Sequence, residues 1–583
     1  MGGNNVTQTF SLPYRRSPDL HGVAACTHAD FAALPPGSPG RLKVAGTASG
    51  TPRATVTQTF SLPYRRSPDL HGVVTCATAI IRAALTLILV FLPAHSHGEP
   101  DFSLLSKPWF EARTAHFRTF SCGGTQDVAK LTARLEQFRS AYEALAGSQA
   151  VASPPIEVLA LPDHSALEHF VPLYQGQPMN LSGFFHRGSD ENLIVLSLAD
   201  SGAGALDTIF HEYTHLVLRR NQQIWPMWLV EGMADIYATF EVTGDHAVRL
   251  GKPQQLYLRV LANQPMMPLP ALFAVTHDSP EYNERDRQGI FYAESWLLTH
   301  YLMIGNPARR ANFGQLSTLL RQGQTPEQAF TNAFHVPVGV VQKELSHYLE
   351  QAKFESLTFA VRASLLVAQP MATRPVAAVE TCFRLGDELL RIGRDSEAES
   401  YLIQAAKLGP ANPLASEGLG LLEAERGRHQ EALDDLKRAI DHGSKSFLVH
   451  YGFAREKLIL TAKTPDHYSR LEGDDARQVR DELQQALSLM PDFGPAHHLL
   501  GFFELIQGEN LEDANQHLKK AIELEPENVA YLLTLAQVQI AERNAGAARG
   551  TLQQLCHPYI DGKLRAHAEE MLQSLGPSEN AVK

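Results

Sequence analysis

His211-Glu212-Tyr213-Thr214-His215, followed by Trp228-Leu229-Val230-Glu231-Gly232-Met233-Ala234-Asp235, is the stretch whose reading decides how the amino-terminal half of this chain folds. On a helix the two histidines stand at i and i+4, roughly 40° apart around the axis, so both imidazoles can reach one metal ion. Glu212 lies beside them, placed to take a proton from a water that the metal activates. Trp225-Pro226 breaks the first helix and lets a second one start, with Glu231 early in it. The neighbours of Glu231 at i−4, i−3 and i+3 are Met227, Trp228 and Ala234, so its carboxylate emerges from an apolar face where an unpaired charge is costly. A cation removes that cost, which makes Glu231 the candidate third ligand. Asp235, one turn on, is placed to accept the outer N–H of a metal-binding histidine.

In a chain with 25 histidines an isolated five-residue match carries little. The second run supplies the weight, because two carboxylates at i and i+4 among Trp, Leu, Val, Met and Ala are a poor fit to a solvated face. HEYTH followed by EGMAD resembles the gluzincin, or peptidase MA-like, zinc metallopeptidases, whose pattern is HExxH and then ExxxD on a second helix. The resemblance covers approximately residues 101 to 355. It implies one Zn²⁺ held by His211, His215 and Glu231, Glu212 as general base, Asp235 behind a zinc ligand, and hydrolysis of peptide bonds. It also implies an α+β zincin-like fold: a small sheet, the HExxH active-site helix and a mostly helical lower half.

That family usually carries a further donor for the oxyanion, and Tyr292, in Phe291-Tyr292-Ala293-Glu294-Ser295-Trp296, resembles the tyrosine that fills this role. Core or rim packing is the other reading of Tyr292. His300 is a weaker alternative and reads as a helix-surface or packing histidine. The aminopeptidase branch has a GxMEN-type motif before the zinc helix. This chain departs from it, reading Gly188-Ser189-Asp190-Glu191-Asn192 and then Leu193-Ile194-Val195-Leu196, which is expected to be the edge strand that pairs with an extended substrate. Glu191 is either a substitute carboxylate or a turn residue, and the choice between endo- and exopeptidase stays open.

Around the motifs, His116–Phe120 and Ile156–Leu161 read as strands flanking an amphipathic helix from about Thr125 to Leu145. Beyond Glu231 the chain reads as mostly helical to about Ala352, with Tyr282 to Gln288 as a polar loop. The chain has 583 residues, 44% hydrophobic and 20% charged, which suits more than one soluble globular domain. A net charge of −12 without a basic patch argues against nucleic acid as a partner.

Val6 to Val23 reads VTQTFSLPYRRSPDLHGV and recurs unchanged at Val56 to Val73. Perfect identity points to a recent duplication, and residues 1 to 75 are expected to be a disordered leader, with the true start further on. Arg82, the apolar run Ala83 to Leu92 and the small-residue end Ala94-His95-Ser96 then match a secretory signal peptide within residues 76 to 97. Export to the periplasm or outside the cell is the expectation, with a membrane anchor facing outward as the alternative. Cys122, Cys382 and Cys556 are scattered and form neither a disulfide framework nor a thiolate site.

In the last third, Leu385-Gly386, Gly393, Ala398 and Ala405 recur as Leu419-Gly420, Gly427, Ala432 and Ala439, each 34 residues later. That is the tetratricopeptide period. Leu500-Gly501, Gly508, Ala514 and Ala521 give another copy, and about 13 extra residues between copies fall around Thr461 to Asp474. The repeats resemble tetratricopeptide arrays, so an all-α solenoid of four to five repeats is expected over residues 376 to 560, after a linker at 356–375 and before a terminal helix and tail at 561–583. Such arrays imply a peptide or protein partner, although a brace for the first domain fits the same pattern. His497-His498 reads as a loop-to-helix pair without further ligands.

Two functional classes follow: an exported zinc peptidase whose repeats recruit substrate or partner, and an idle peptidase-like scaffold that only binds proteins.

Overall fold

Strand residues alternate between two faces, and in this chain both faces are apolar. The computed structural model describes Val23–Ala24 and residues 102–576, with short interruptions of which the longest are 147–155 and 362–370. Apart from Val23 and Ala24, the duplicated leader and the signal segment expected over residues 1–97 lie outside the described residues. In chain order the strands of the first half are β1 (Val23–Ala24), β2 (Trp109–Arg113), β3 (Phe117–Ser121), β4 (Ile156–Leu161), β5 (Leu173–Tyr174) and β6 (Gln177–Pro178). They continue with β7 (Gly183–Arg187), β8 (Asn192–Ser197), β9 (Glu241–Thr243), β10 (Ala247–Leu250), β11 (Leu357–Ala360) and β12 (Thr373–Val376).

Seven of these form one mixed sheet in the order β1-β7-β8-β4-β3-β2-β12. β3, β4 and β8 run parallel, and the other pairs are antiparallel. On β4, β7 and β8, Val158, Ala160, Phe185, Ile194 and Leu196 enter one core, while Leu159, Leu161, Phe184, Leu193 and Val195 enter another. The first core is covered by the helix Thr125–Ala146 and by the HEYTH helix, Ala203–Arg220, with Phe138 stacked on Phe210 at 4.2 Å. A continuous apolar run is what a strand buried on both faces requires.

That double burial corrects the expectation for Leu193–Leu196. The run does not form an edge: β8 lies inside the sheet between β4 and β7. β7 is the outer strand on this side, and its free flank takes the two-residue β1, Val23 opposite His186 and Ala24 opposite Phe185. Residues 356–375 depart from a linker in the same way. β11 completes a three-stranded sheet with β10 and β9, and β12 closes the far edge of the main sheet against β2. Pro375 fits this position, because an edge strand tolerates proline where one side of it needs no N–H. Tyr282–Gln288 is not a loop either, since Pro280–Asn283 is a short helix and a long one begins at Arg285. No helix among the described residues is long and apolar enough to cross a membrane.

From Ala378 to Leu555 the chain forms five antiparallel helix pairs, followed by a terminal helix, Gly562–Ser574. The extra residues lie where the spacing put them, as a small hairpin of Ala462–Thr464 with His467–Tyr468. The 34-residue period has a packing cause. A Cβ on Gly386, Gly420 or Gly501 would come within 2.8 Å of Leu402, Leu436 or Leu518 on the facing helix, and the alanines at 398, 405, 432, 439, 514 and 521 have no exposed surface. The first repeat packs onto the second face of the sheet: Phe383, Leu385, Leu389 and Leu402 share a core with Trp109, Phe120, Leu159 and Leu193. Tyr401 sits between Phe102 and Phe170, at 5.2 and 6.1 Å.

Candidate metal centre

The HEYTH helix and its successor, Met227–Ala238, meet because each buries an apolar stripe. Pro226 is itself extended, with φ −64° and ψ 144°, and Met227 opens the second helix. Trp228 anchors that helix, 1% exposed against Phe273 and Phe330. Gly232 lets it approach the long helix Arg285–His300, because a methyl group there would land on Thr299 Oγ1 and on the carbonyl of Ser295. Glu231 is thereby brought under the two histidines.

Three donor atoms converge. His211 Nε2 lies 2.9 Å from His215 Nε2, and Glu231 Oε2 lies 3.4 Å from the first and 3.3 Å from the second. At Zn–N and Zn–O distances near 2.0–2.1 Å, tetrahedral ligand atoms stand about 3.3 Å apart. His211, His215 and Glu231 are the one group of three or more His, Cys, Asp or Glu residues with this convergence among the described residues. Glu231 is 2% exposed, and its Oε2, aimed at the two ring nitrogens, makes no hydrogen bond of good geometry. Two imidazoles and a carboxylate form a nitrogen–oxygen donor set suited to zinc, and a cation between them compensates the buried charge.

The electrostatics point the same way. Burial resists protonation of His211, but Asp235, Glu231 and Glu212 outweigh it and hold its pKa well above the ordinary imidazole value. Burial also works against the charge on Glu231, yet His215 and His211 keep its carboxyl well below the usual carboxylate range. The pocket therefore favours positive charge at the convergence point, and a metal competes there with protons.

Behind the ligands, His211 Nδ1 meets Asp235 Oδ1 at 3.1 Å. With Nδ1–H donating to Asp235, the lone pair of His211 Nε2 faces the other ligand atoms and is available to a metal. Desolvation raises the Asp235 carboxyl, with His211 and the Tyr257 phenol pulling against it. Glu212 is buried, and its Oε1 stands 4.0 Å from His211 Nε2. The structure thus gathers His211, Glu212, His215, Glu231 and Asp235 into one place.

The other candidates fall differently. Tyr292 lies beside Tyr282 with the rings tilted by 34° and their centroids 6.2 Å apart. It is Tyr282 whose hydroxyl reaches Glu231 Oε1, at 3.5 Å. Nothing in the sequence marks Tyr282 for this contact; Ser279-Pro280 signals only that a helix starts just ahead of it. His300 is fully buried, its Nε2 donating to the Gly251 carbonyl at 3.0 Å and its Nδ1 accepting from Tyr348 Oη at 2.8 Å. It is a packing histidine, and its full burial rules out the helix-surface reading that the sequence left beside it. Glu191 does not imitate a substrate-reading carboxylate: it is buried 3.3 Å from Arg391 of the first repeat. His497 meets His517, Nδ1 to Nδ1 at 2.8 Å, while His498 turns to Thr534.

Residues 383–446 and 505–556 match two tetratricopeptide-repeat family models. With the five helix pairs, these matches make the carboxy-terminal third a tetratricopeptide-repeat array, a protein-interaction architecture. Residues 205–318, which contain both motifs, match a family described as a protein of unknown function, DUF1570. No curated protein matches the chain. Among solved structures, YrrB, titled a tetratricopeptide-repeat protein with an unusual peptide-binding site, is 17% identical, covering 32% of this chain and 90% of its own at a TM-score of 0.27. A tetratricopeptide-repeat protein of Thermus thermophilus is 21% identical, with 33% and 99% covered and a TM-score of 0.26. MamA of Desulfovibrio magneticus is 18% identical, with 34% and 97% covered and a TM-score of 0.26.

Proposed function

We propose that this protein is a zinc-dependent metallopeptidase whose repeat array receives a protein substrate or partner. The observation that carries the reading is the convergence of His211 Nε2, His215 Nε2 and Glu231 Oε2 with the Glu212 carboxylate beside them. His211, His215 and Glu231 would hold the ion, which when bound supplies Lewis acidity to a peptide carbonyl and to water. Glu212 takes the proton from the attacking water and returns it to the leaving amine. Its carboxylate is confined next to the donor set, so the transfer needs no large rearrangement. Tyr292 is the proposed donor to the oxyanion, and Tyr282 steadies Glu231. Asp235 fixes the tautomer of His211.

The second reading, an idle scaffold, draws its support from the repeats alone. Glu212 favours the enzyme, since a site that only binds protein has no physical use for a buried acid beside two metal-type histidines. Export is part of the proposal and rests on Arg82 to Ser96. The test is cleavage of a mixed peptide library by zinc-loaded protein, wild type against Glu212→Gln. Cleavage by the wild type alone supports the enzyme, and zinc-loaded wild type that leaves the library intact contradicts it.

A further inference from the structure

A helix outside both motifs reaches into the centre. Gln255–Asn263 follows the β9–β10 hairpin, and nothing in its sequence marks it as part of a metal site. Yet Tyr257 Oη donates to Asp235 Oδ1 at 3.1 Å, the same oxygen that meets His211 Nδ1 at 3.1 Å. Just ahead of this helix, Gln254 Nε2 donates to the backbone carbonyl of Asp235 at 3.3 Å. Asp235 is therefore gripped by side chain and main chain from one neighbouring element. The Tyr257 ring is itself set against the fully buried Trp296, centroids 6.2 Å apart.

We infer that Tyr257 is a positioning residue for the metal centre, acting on His211 through Asp235; this inference rests on the metal reading above. The physical argument starts from the carboxylate. A lone imidazole N–H contact leaves the Asp235 carboxyl free to turn about χ2, and with it the His211 ring can swing. A phenol donating to the same oxygen fixes the carboxylate plane, so Nε2 of His211 stays aimed at the convergence point. Two donors on one oxygen also suit an ionised acceptor, and that charge makes His211 the better metal donor. The contact of Tyr257 with the metal centre runs through Asp235. Its effect should appear in how tightly and in what geometry the metal is held.

The experiment is metal competition on the full chain, with wild type, Tyr257→Phe, Asp235→Asn and the double variant titrated against a zinc chelator, alongside visible spectra of the Co²⁺-loaded forms. Phenylalanine keeps the ring against Trp296 and removes only the hydroxyl, and thermal melting of the metal-free forms checks that the fold is intact. Tyr257→Phe should weaken zinc about 10-fold, the low end for an outer contact, and shift the Co²⁺ bands. In the Asp235→Asn background the second change should add little, because both act through one carboxylate. Unchanged zinc affinity and spectrum in Tyr257→Phe, or full additivity in the double variant, would overturn the inference. Wild-type protein that binds no metal would overturn the metal reading itself, and the inference with it.

Discussion

Glu231 is where a metal centre and a buried ion cluster part company. A carboxylate oxygen facing two imidazole nitrogens at 3.3 and 3.4 Å, with 2% of the residue exposed, needs a positive charge there. Glu212, by contrast, is not needed to hold the ion. Glu212→Gln should keep zinc while lowering the turnover of any cleaved peptide by at least about 100-fold, the usual worth of a general base; parallel metal analysis and steady-state kinetics read both. His300 gives a residue-scale prediction independent of catalysis. Burial pushes its imidazole down to about 4, against the carbonyls of Gly251 and Glu355 that favour its charged form. Its unfolded value is near 6.5, so the unfolded chain takes up this proton first. The stability due to neutral His300 is complete above about pH 6.5 and is lost as pH falls toward 4, about 3 kcal/mol in all. Urea unfolding at pH 7 and pH 4.5 should show a smaller acid loss in His300→Gln than in wild type; equal losses would remove His300 from the account.

At the scale of elements, the two motif helices pack by small residues as much as by ligands. Gly232 sits where the second of them crosses Arg285–His300, and any side chain there meets Thr299 and Ser295. Gly232→Ala should cost about 1–3 kcal/mol of stability through overpacking, measured by denaturant unfolding of metal-free protein. A neutral change would mean that the crossing is looser than the structure has it. This glycine lies inside the EGMAD run, but the sequence alone holds no reason for it; the crossing with Arg285–His300 supplies one. Helices and repeats were legible because their apolar periods are long and regular, and the Ile156–Leu161 strand because it is a short apolar, β-branched run. The location of Leu193–Leu196 was not, since an apolar run tells that both faces of a strand are covered and says nothing of which strands flank it. Likewise β9, β10 and β11 are three or four residues long with half-buried polar positions, too short for a period to emerge. Tyr257 and Tyr282 reach Asp235 and Glu231 across 22 and 51 residues of sequence, contacts that only the folded chain defines.

Across the molecule, the repeat array and the sheet belong to one compact unit. Arg384 of the first repeat lies over Phe120, 4.8 Å from the ring centroid, and pairs with Glu157 of β4, while Arg391 approaches Glu191. These contacts join residues some 200 positions apart, beyond the reach of any motif. The expected boundary at residue 355 therefore cuts through a shared core. A fragment of residues 98–355 should be insoluble or aggregated, since it loses β12 and bares Trp109, Phe120, Leu159 and Leu193, each worth about 1.5–3 kcal/mol when buried. Size-exclusion chromatography would show this, and a monomeric fragment with cooperative unfolding would separate the two halves after all.

The most direct test of the whole account is the zinc content of the purified full chain, wild type beside Glu231→Ala. Wild type should hold one zinc per chain, and tightly held zinc should be lost when Glu231 is removed. Metal-free wild type after purification in the presence of zinc, or an unchanged one-to-one content in Glu231→Ala, would contradict it.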